Sequence, residues 1–156
     1  MKLALLGTGM IVTEVLPVLN DYWEHWAEGY NVDTTILDKA ETLAKQYGLT
    51  QATSDYEAIL SNPDVDTIYV GTPNHTHYDY AKQALLAGKH VICEKPFTLH
   101  LEEFEELIKL AQEKELLLIE AIINQYLENF KVIKDSLSEI GDIKIVNINY
   151  SQYSSR

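Results

Sequence analysis

At 156 residues, with 46% hydrophobic residues and a formal net charge of −12, the chain is long enough for one domain with a sizeable core and too apolar to be disordered. No apolar run reaches the roughly 18 residues a bilayer needs. The acidity repels polyanions overall, so nucleic acid is not an expected partner, although a local pocket for a small anion is compatible with it. A single cysteine excludes an internal disulfide, gives no metal-ligand cluster and fits a reducing cytoplasm.

From the N-terminus, the apolar run Leu3 to Leu6 is too short for a signal peptide, and Gly7-Thr8-Gly9 follows at once. Lys2 to Leu6 therefore reads as a strand, with a helical pattern after the turn. In this turn Gly7 permits the tight bend. Gly9 lets backbone approach a pyrophosphate, whose charge would sit at the helix N-terminus. The third position of the dinucleotide fingerprint is Val12 rather than Gly or Ala. That departure requires the helix to stand slightly off the sheet or the neighbourhood to repack.

The second strand has two possible registers. One runs from His25 to Tyr30 and leaves Asn31 and Asp33 past its tip. The other runs from Val32 to Leu37 with Asp38 at the tip, although Asp38 also pairs with Glu41 as a helix-capping motif. Trp23 and Trp26 read as packing residues. No Lys or Arg occurs between Lys2 and Lys39, so this stretch offers no cation to an NADP 2′-phosphate, and the reading leans to NAD.

Ala40, Leu43, Ala44 and Tyr47 follow helical spacing and Gly48 stands where a C-terminal cap belongs. Ser54 and Glu57 form a capping box for a short helix. Thr67 to Val70 is a second clear strand. It runs into GTPNHTH, residues 71 to 77, where Asn74 is placed to start the next helix. His75 and His77 are two apart and would diverge on a helix, which argues against a shared metal; His75 reads as a surface residue and His77 as a hydrogen-bonding group near the cofactor. Tyr78, Ala81, Ala84 and Leu85 give one helical face, closed by Gly88. His90 to Cys93 is the next strand and ends in Glu94-Lys95-Pro96. Leu101, Phe104, Leu107, Ile108 and Ala111 mark another helix, acidic early and basic late, which suits its dipole. Leu116 to Ile119 is the last of the apolar strands. None of these runs alternates with polar residues, as expected when both faces of a parallel sheet are covered. The strand–helix repetition predicts a Rossmann-like doubly wound α/β sheet, with ligands at the carboxyl ends of its strands.

At that edge Lys95 has two readings. It can point into the crevice, kept charged and oriented by Glu94, and assist proton transfer at a substrate hydroxyl as hydride leaves. Alternatively, Glu94 and Lys95 are an exposed salt bridge at a strand end. After residue 121 the pattern changes. Phe130, Ile133 and Leu137 suggest a helix ending at Gly141, and Ile143 to Tyr150 alternates like an antiparallel strand with one wet face. Such a strand would need a partner. Residues 1–121 are therefore expected to form the dinucleotide-binding domain, and 122–156 to open a second domain that is cut off.

GTG after the first strand, TPNHTH, AGKHVICEKP and the later IEA together resemble the Gfo/Idh/MocA oxidoreductases, in the same order and over essentially the whole chain. The resemblance implies an NAD(P)-dependent oxidoreductase acting on a small sugar, polyol or related alcohol or ketone, homo-oligomeric at full length. It implies that Gly7, Thr8, Gly9, Met10 and Ile11 line the pyrophosphate. Thr72, Pro73, Asn74 and His77 would border the adenosine or nicotinamide. Glu94 and Lys95 would lie near the nicotinamide, with Lys95 at the substrate and a cis Lys95–Pro96 bond. Asn31 is the candidate at the ribose. Many members carry an Arg shortly after the EA pair, whereas here Ile122-Ile123-Asn124-Gln125 follows. The family's catalytic histidine belongs to the second domain, so no residue of this chain takes that role and the chain alone is expected to have little turnover. A non-catalytic module that senses NAD(P), or assembly through the final strand, are the alternatives.

Overall fold

The structure is a computed structural model and describes residues 2–20, 27–32, 37–149 and 151. Trp23, Trp26, Asp33 and Tyr150 lie outside the described residues. The chain divides into two compact units, Met1–Ala121 and Ile122–Arg156.

The first unit alternates strands and helices: β1 (Lys2–Leu6), α1 (Met10–Asn20), β2 (Ala27–Val32), α2 (Leu37–Tyr47), β3 (Gln51–Thr53), α3 (Tyr56–Ser61), β4 (Thr67–Val70), α4 (His77–Leu86), β5 (His90–Cys93), α5 (Leu101–Glu113) and β6 (Leu118–Glu120). The strands form one sheet in the order β3-β2-β1-β4-β5-β6, every neighbouring pair parallel. This is the doubly wound order, whose direction reverses between β1 and β4.

Side chains explain why the strands lack alternation. Ala4, Leu6, Ile68, Val70, Val91 and Cys93 face one core, with Ala81, Ala84, Leu85, Leu107 and Ala111 from α4 and α5. Leu3, Leu5 and Tyr69 face the other, against Val12 and Leu16 of α1 and Leu43 of α2. Alternate residues thus enter opposite cores, and burying each Leu or Val contributes about 1.5–3 kcal/mol.

Several boundaries differ from the sequence reading. β2 ends at Val32, and residues Leu37 and Asp38 belong to α2, so the Val32-to-Leu37 register is wrong. The other register is displaced as well. Tyr30, Asn31 and Val32 pair with β1 on one side and β3 on the other, which carries Asn31 into the strand instead of beyond its tip. Asp38 sits in the first turn of α2, not at a strand tip. The cap of α3 is Asp55, whose carboxylate accepts the Ala58 N–H at 3.0 Å; Ser54 is one residue too early to reach that donor. Asn74 opens a short 3-10 turn, Asn74–Thr76, and α4 starts at His77. Leu116 is not in β6, because its N–H closes α5 on the Ala111 carbonyl. β3, three residues of modest hydrophobicity, had no legible signal.

In the second unit, a 3-10 turn (Ile123–Tyr126) precedes α6 (Glu128–Ser136), and a further 3-10 turn (Leu137–Ile140) ends at Gly141. The expected strand from Ile143 does not form: residues 143–149 carry no strand pairing and Ile145, Val146 and Ile148 are exposed. A strand exists only through hydrogen bonds to a neighbour, and the described residues of the second unit hold no other strand.

Candidate cofactor site at the sheet edge

Three loops leave the carboxyl ends of β1, β4 and β5. The ladder runs on past the strands to hold them level: Gly71 N–H donates to Leu6 O at 2.9 Å, and Glu94 N–H to Val70 O at 3.0 Å. Together the loops enclose a cavity of about 690 Å³, within the usual size range of small-molecule sites.

The glycine turn forms one wall. Gly7 has φ +115°, and a Cβ there would stand 2.7 Å from Gly71 O, so backbone conformation and close approach both demand glycine. At Gly9 a Cβ would meet nothing within 4 Å. The turn therefore leaves bare backbone facing open space one residue before α1 begins. Val12 is fully buried, and a Cβ on Gly71 would lie 2.6 Å from its Cγ2. The volume that the fingerprint normally saves at its third position is saved across the sheet, at Gly71. Of the two options open to Val12, the structure takes repacking.

The loop after β4 forms the floor. His77 is fully buried; its Nδ1 lies 2.8 Å from Pro96 O and its Nε2 2.7 Å from Thr72 O. Both ring nitrogens are engaged by backbone, so His77 ties the 72 and 96 loops together and forms wall. Thr76 Oγ1 bonds to the Thr72 hydroxyl at 2.8 Å, while Pro73, Asn74 and His75 are exposed at the rim.

The third wall is Glu94-Lys95. The Lys95–Pro96 bond is cis. Glu94 is buried and accepts from the Tyr69 hydroxyl and from the Lys95 backbone N–H. The expected ion pair is therefore absent: Glu94 holds the backbone of Lys95, and the exposed Lys95 ammonium makes no ion pair among the described residues. Burial and the neighbouring Glu94 push the Tyr69 phenol up, so Tyr69 stays a donor to that carboxylate.

Gly7, Thr8, Gly9, Met10, Ile11, Thr72, Pro73, Asn74, His77, Glu94 and Lys95 all line this one cavity. Asn31 lies in β2 opposite Leu5, but its side chain is outside the described residues. Three contributors escaped the sequence reading. Gly71 was signalled only by a glycine directly after a strand. Tyr69 looked like an ordinary strand residue. Lys39, in the first turn of α2, also lines the cavity; the sequence showed only that it closed a cation-free stretch. Among the described residues no group of three His, Cys, Asp or Glu side chains could hold a metal, and no helix is long and apolar enough to cross a membrane.

Comparison with known proteins agrees with this fold. Residues 1–122 match the model of the GFO_IDH_MocA oxidoreductase family, NAD-binding Rossmann fold. The chain is 32% identical over 155 residues to scyllo-inositol 2-dehydrogenase (NADP(+)) IolU of Bacillus subtilis, covering 99% of this chain and 47% of that protein. It is 32% identical over 116 residues to trans-1,2-dihydrobenzene-1,2-diol dehydrogenase of Xenopus tropicalis, covering 73% and 35%. Among solved structures, a 3-ketoreductase of Actinomadura kijaniata, KijD10, in complex with TDP-benzene and NADP, superposes with a TM-score of 0.78 at 29% identity, covering 89% of this chain and 43% of that one. The chain thus spans less than half the length of these relatives. With a doubly wound sheet, a glycine turn at its switch point and this match over most of its length, the chain belongs to the Gfo/Idh/MocA family of oxidoreductases.

Proposed function

We propose that this chain is the cofactor-holding part of an NAD(P)-dependent oxidoreductase that moves hydride between nicotinamide and a carbon of a sugar, polyol or related alcohol or ketone. The observation that carries this reading is the meeting, around one cavity, of an open glycine bend and a lysine ammonium that makes no ion pair among the described residues. The bare backbone at Gly9 fits a pyrophosphate. Gly7 to Ile11 would hold it, Thr72, Pro73 and Asn74 would border the nucleotide, and Glu94 and Lys95 would lie at its nicotinamide end. A bound nicotinamide supplies the hydride donor or acceptor.

Lys95 would stand against the substrate oxygen. Its ammonium stabilises negative charge gathering there and can hold or release a proton as alcohol and carbonyl interconvert. Tyr69 and Glu94 fix the backbone from which that side chain projects. The inositol dehydrogenase, dihydrodiol dehydrogenase and ketoreductase relatives support an alcohol or ketone substrate. We assign residues 122–156 to the start of a substrate domain, which would supply the principal acid–base group and the exclusion of water.

Two measurements test this. Titration of the chain with NADH and NADPH should give saturable binding to at least one. In the protein carrying its substrate domain, Lys95→Ala should lower kcat by about 10²–10⁴-fold while leaving cofactor Kd within about threefold. Loss of cofactor affinity with kcat preserved would move Lys95 from chemistry to binding, and failure to bind either nucleotide would reject the reading.

A further inference from the structure

We infer that Glu120, at the end of β6, is a positioning residue that sets the aim of Lys95 by holding the backbone just beyond it. This rests on the reading of Lys95 as the group at the substrate oxygen and deepens it. The ladder of the sheet stops short of this corner. Its last bonds here run from Glu94 N–H to Val70 O and from Ala121 N–H to Cys93 O, and among the described residues no backbone–backbone hydrogen bond holds residues 95–98. Pro96 has no N–H to offer. Side chains hold the corner instead, one at each successive residue. Glu94 accepts the Lys95 N–H at 3.3 Å, His77 Nδ1 lies 2.8 Å from Pro96 O, and Glu120 Oε1 accepts the Phe97 N–H at 3.1 Å. Glu94 follows β5, His77 opens α4 and Glu120 ends β6, so three elements fix one short segment.

Packing by itself would put an apolar side chain at position 120. Glu120 stands opposite Cys93 in the parallel register and two residues after Leu118. Strand alternation therefore turns it to the face where Cys93 and Leu118 meet the core that holds Phe97. The carboxylate there is partly buried, does not line the cavity and makes no ion pair among the described residues. A carboxylate so placed needs a donor, and the Phe97 N–H supplies it. Phe97 is itself anchored, its ring buried and 5.2 Å between centroids from that of Phe104. Glu120 thus ties the far end of the corner to the sheet, while Glu94 ties the near end. Between them the exposed side chain of Lys95 projects from a fixed root, and a long, flexible ammonium reaches one reacting oxygen reproducibly only from such a root.

Kinetics of the protein carrying its substrate domain test the inference. Glu120→Ala should lower kcat about tenfold to a hundredfold while cofactor Kd stays within about threefold. Glu120→Gln keeps an oxygen within reach of the Phe97 N–H and should recover kcat. Glu120→Asp keeps the charge but is one methylene shorter, and should fall with the Ala variant; the Gln and Asp pair decides the matter even where Glu120→Ala fails to fold. In a Lys95→Ala background Glu120→Ala should cost kcat nothing further, because the two residues act as one unit. In the 156-residue chain, amide hydrogen exchange at Phe97 should quicken in the Ala and Asp variants and stay unchanged in Gln. A kcat loss in Glu120→Gln equal to that in Glu120→Asp, an unchanged kcat in Glu120→Ala, or losses that multiply in the double variant would overturn the role of Glu120 while leaving the dinucleotide site standing. Binding of neither NADH nor NADPH by the unaltered chain would overturn the site reading and this inference with it.

Discussion

A 2.6 Å approach between a Cβ on Gly71 and Val12 Cγ2 makes the two residues a single packing unit. Gly71→Ala should destabilise the chain by about 1–3 kcal/mol, the usual cost of overpacking. Adding Val12→Ala should recover part of that loss, so the double variant is less destabilised than the sum of the singles; urea denaturation measures all three, and strict additivity would contradict the coupling. Tyr69→Phe leaves the buried Glu94 carboxylate short of a donor and should cost about 1–3 kcal/mol. Alkali probes the same interior. Burial, as the largest cause, pushes the Tyr69 and Tyr56 phenols and the Cys93 thiol up. An unfolded chain releases such protons near pH 8.5 for a thiol and about 10 for a phenol, whereas the folded chain keeps them. Their contribution is therefore full below about pH 8.5 and is lost as pH rises. Urea midpoints at pH 7.5 and 10.5 should differ, the alkaline one lower; equal midpoints would contradict this. Residue by residue, the glycine turn was legible because glycine answers a local backbone demand. Gly71 and Tyr69 were not, since their roles depend on partners 59 and 25 positions away, Val12 and Glu94, that meet only in the folded sheet.

Elements divide along the same line. β1, β4 and β5 were readable because strands buried on both faces are continuous apolar runs bounded by turn residues, and the ends of α2 and α4 were readable at Gly48 and Gly88, both at positive φ. β3 and the exact span of β2 were not, because edge position and register come from pairing, not from composition. The strand expected at 143–150 shows the converse. Its alternating pattern is real, but a pattern makes no strand without a neighbour to bond. The cap of α3 gives a sharp test. Asp55→Ala should cost about 1 kcal/mol, whereas Ser54→Ala should cost far less; a larger loss at Ser54 would restore the capping box read from the sequence.

Over the whole first unit, the sheet order turns these local features into a site. A chain reversal between β1 and β4 brings together a bend at residues 7–11, a loop at 71–77 and the Glu94-Lys95 corner, segments that in the sequence are only a series of short motifs. The motifs could be read in order, but the inclusion of Lys39 could not, since it follows from where α2 enters the sheet edge. The central claim is that these segments close around one dinucleotide. Backbone amide shifts of the 15N-labelled chain, recorded during titration with NADPH and NADH, test it most directly. The expected result is saturable, simultaneous perturbation of the amides of Gly9, Thr72 and Lys95 by at least one nucleotide. Unmoved amides at these three positions at millimolar nucleotide, or shifts confined to another surface, would contradict it.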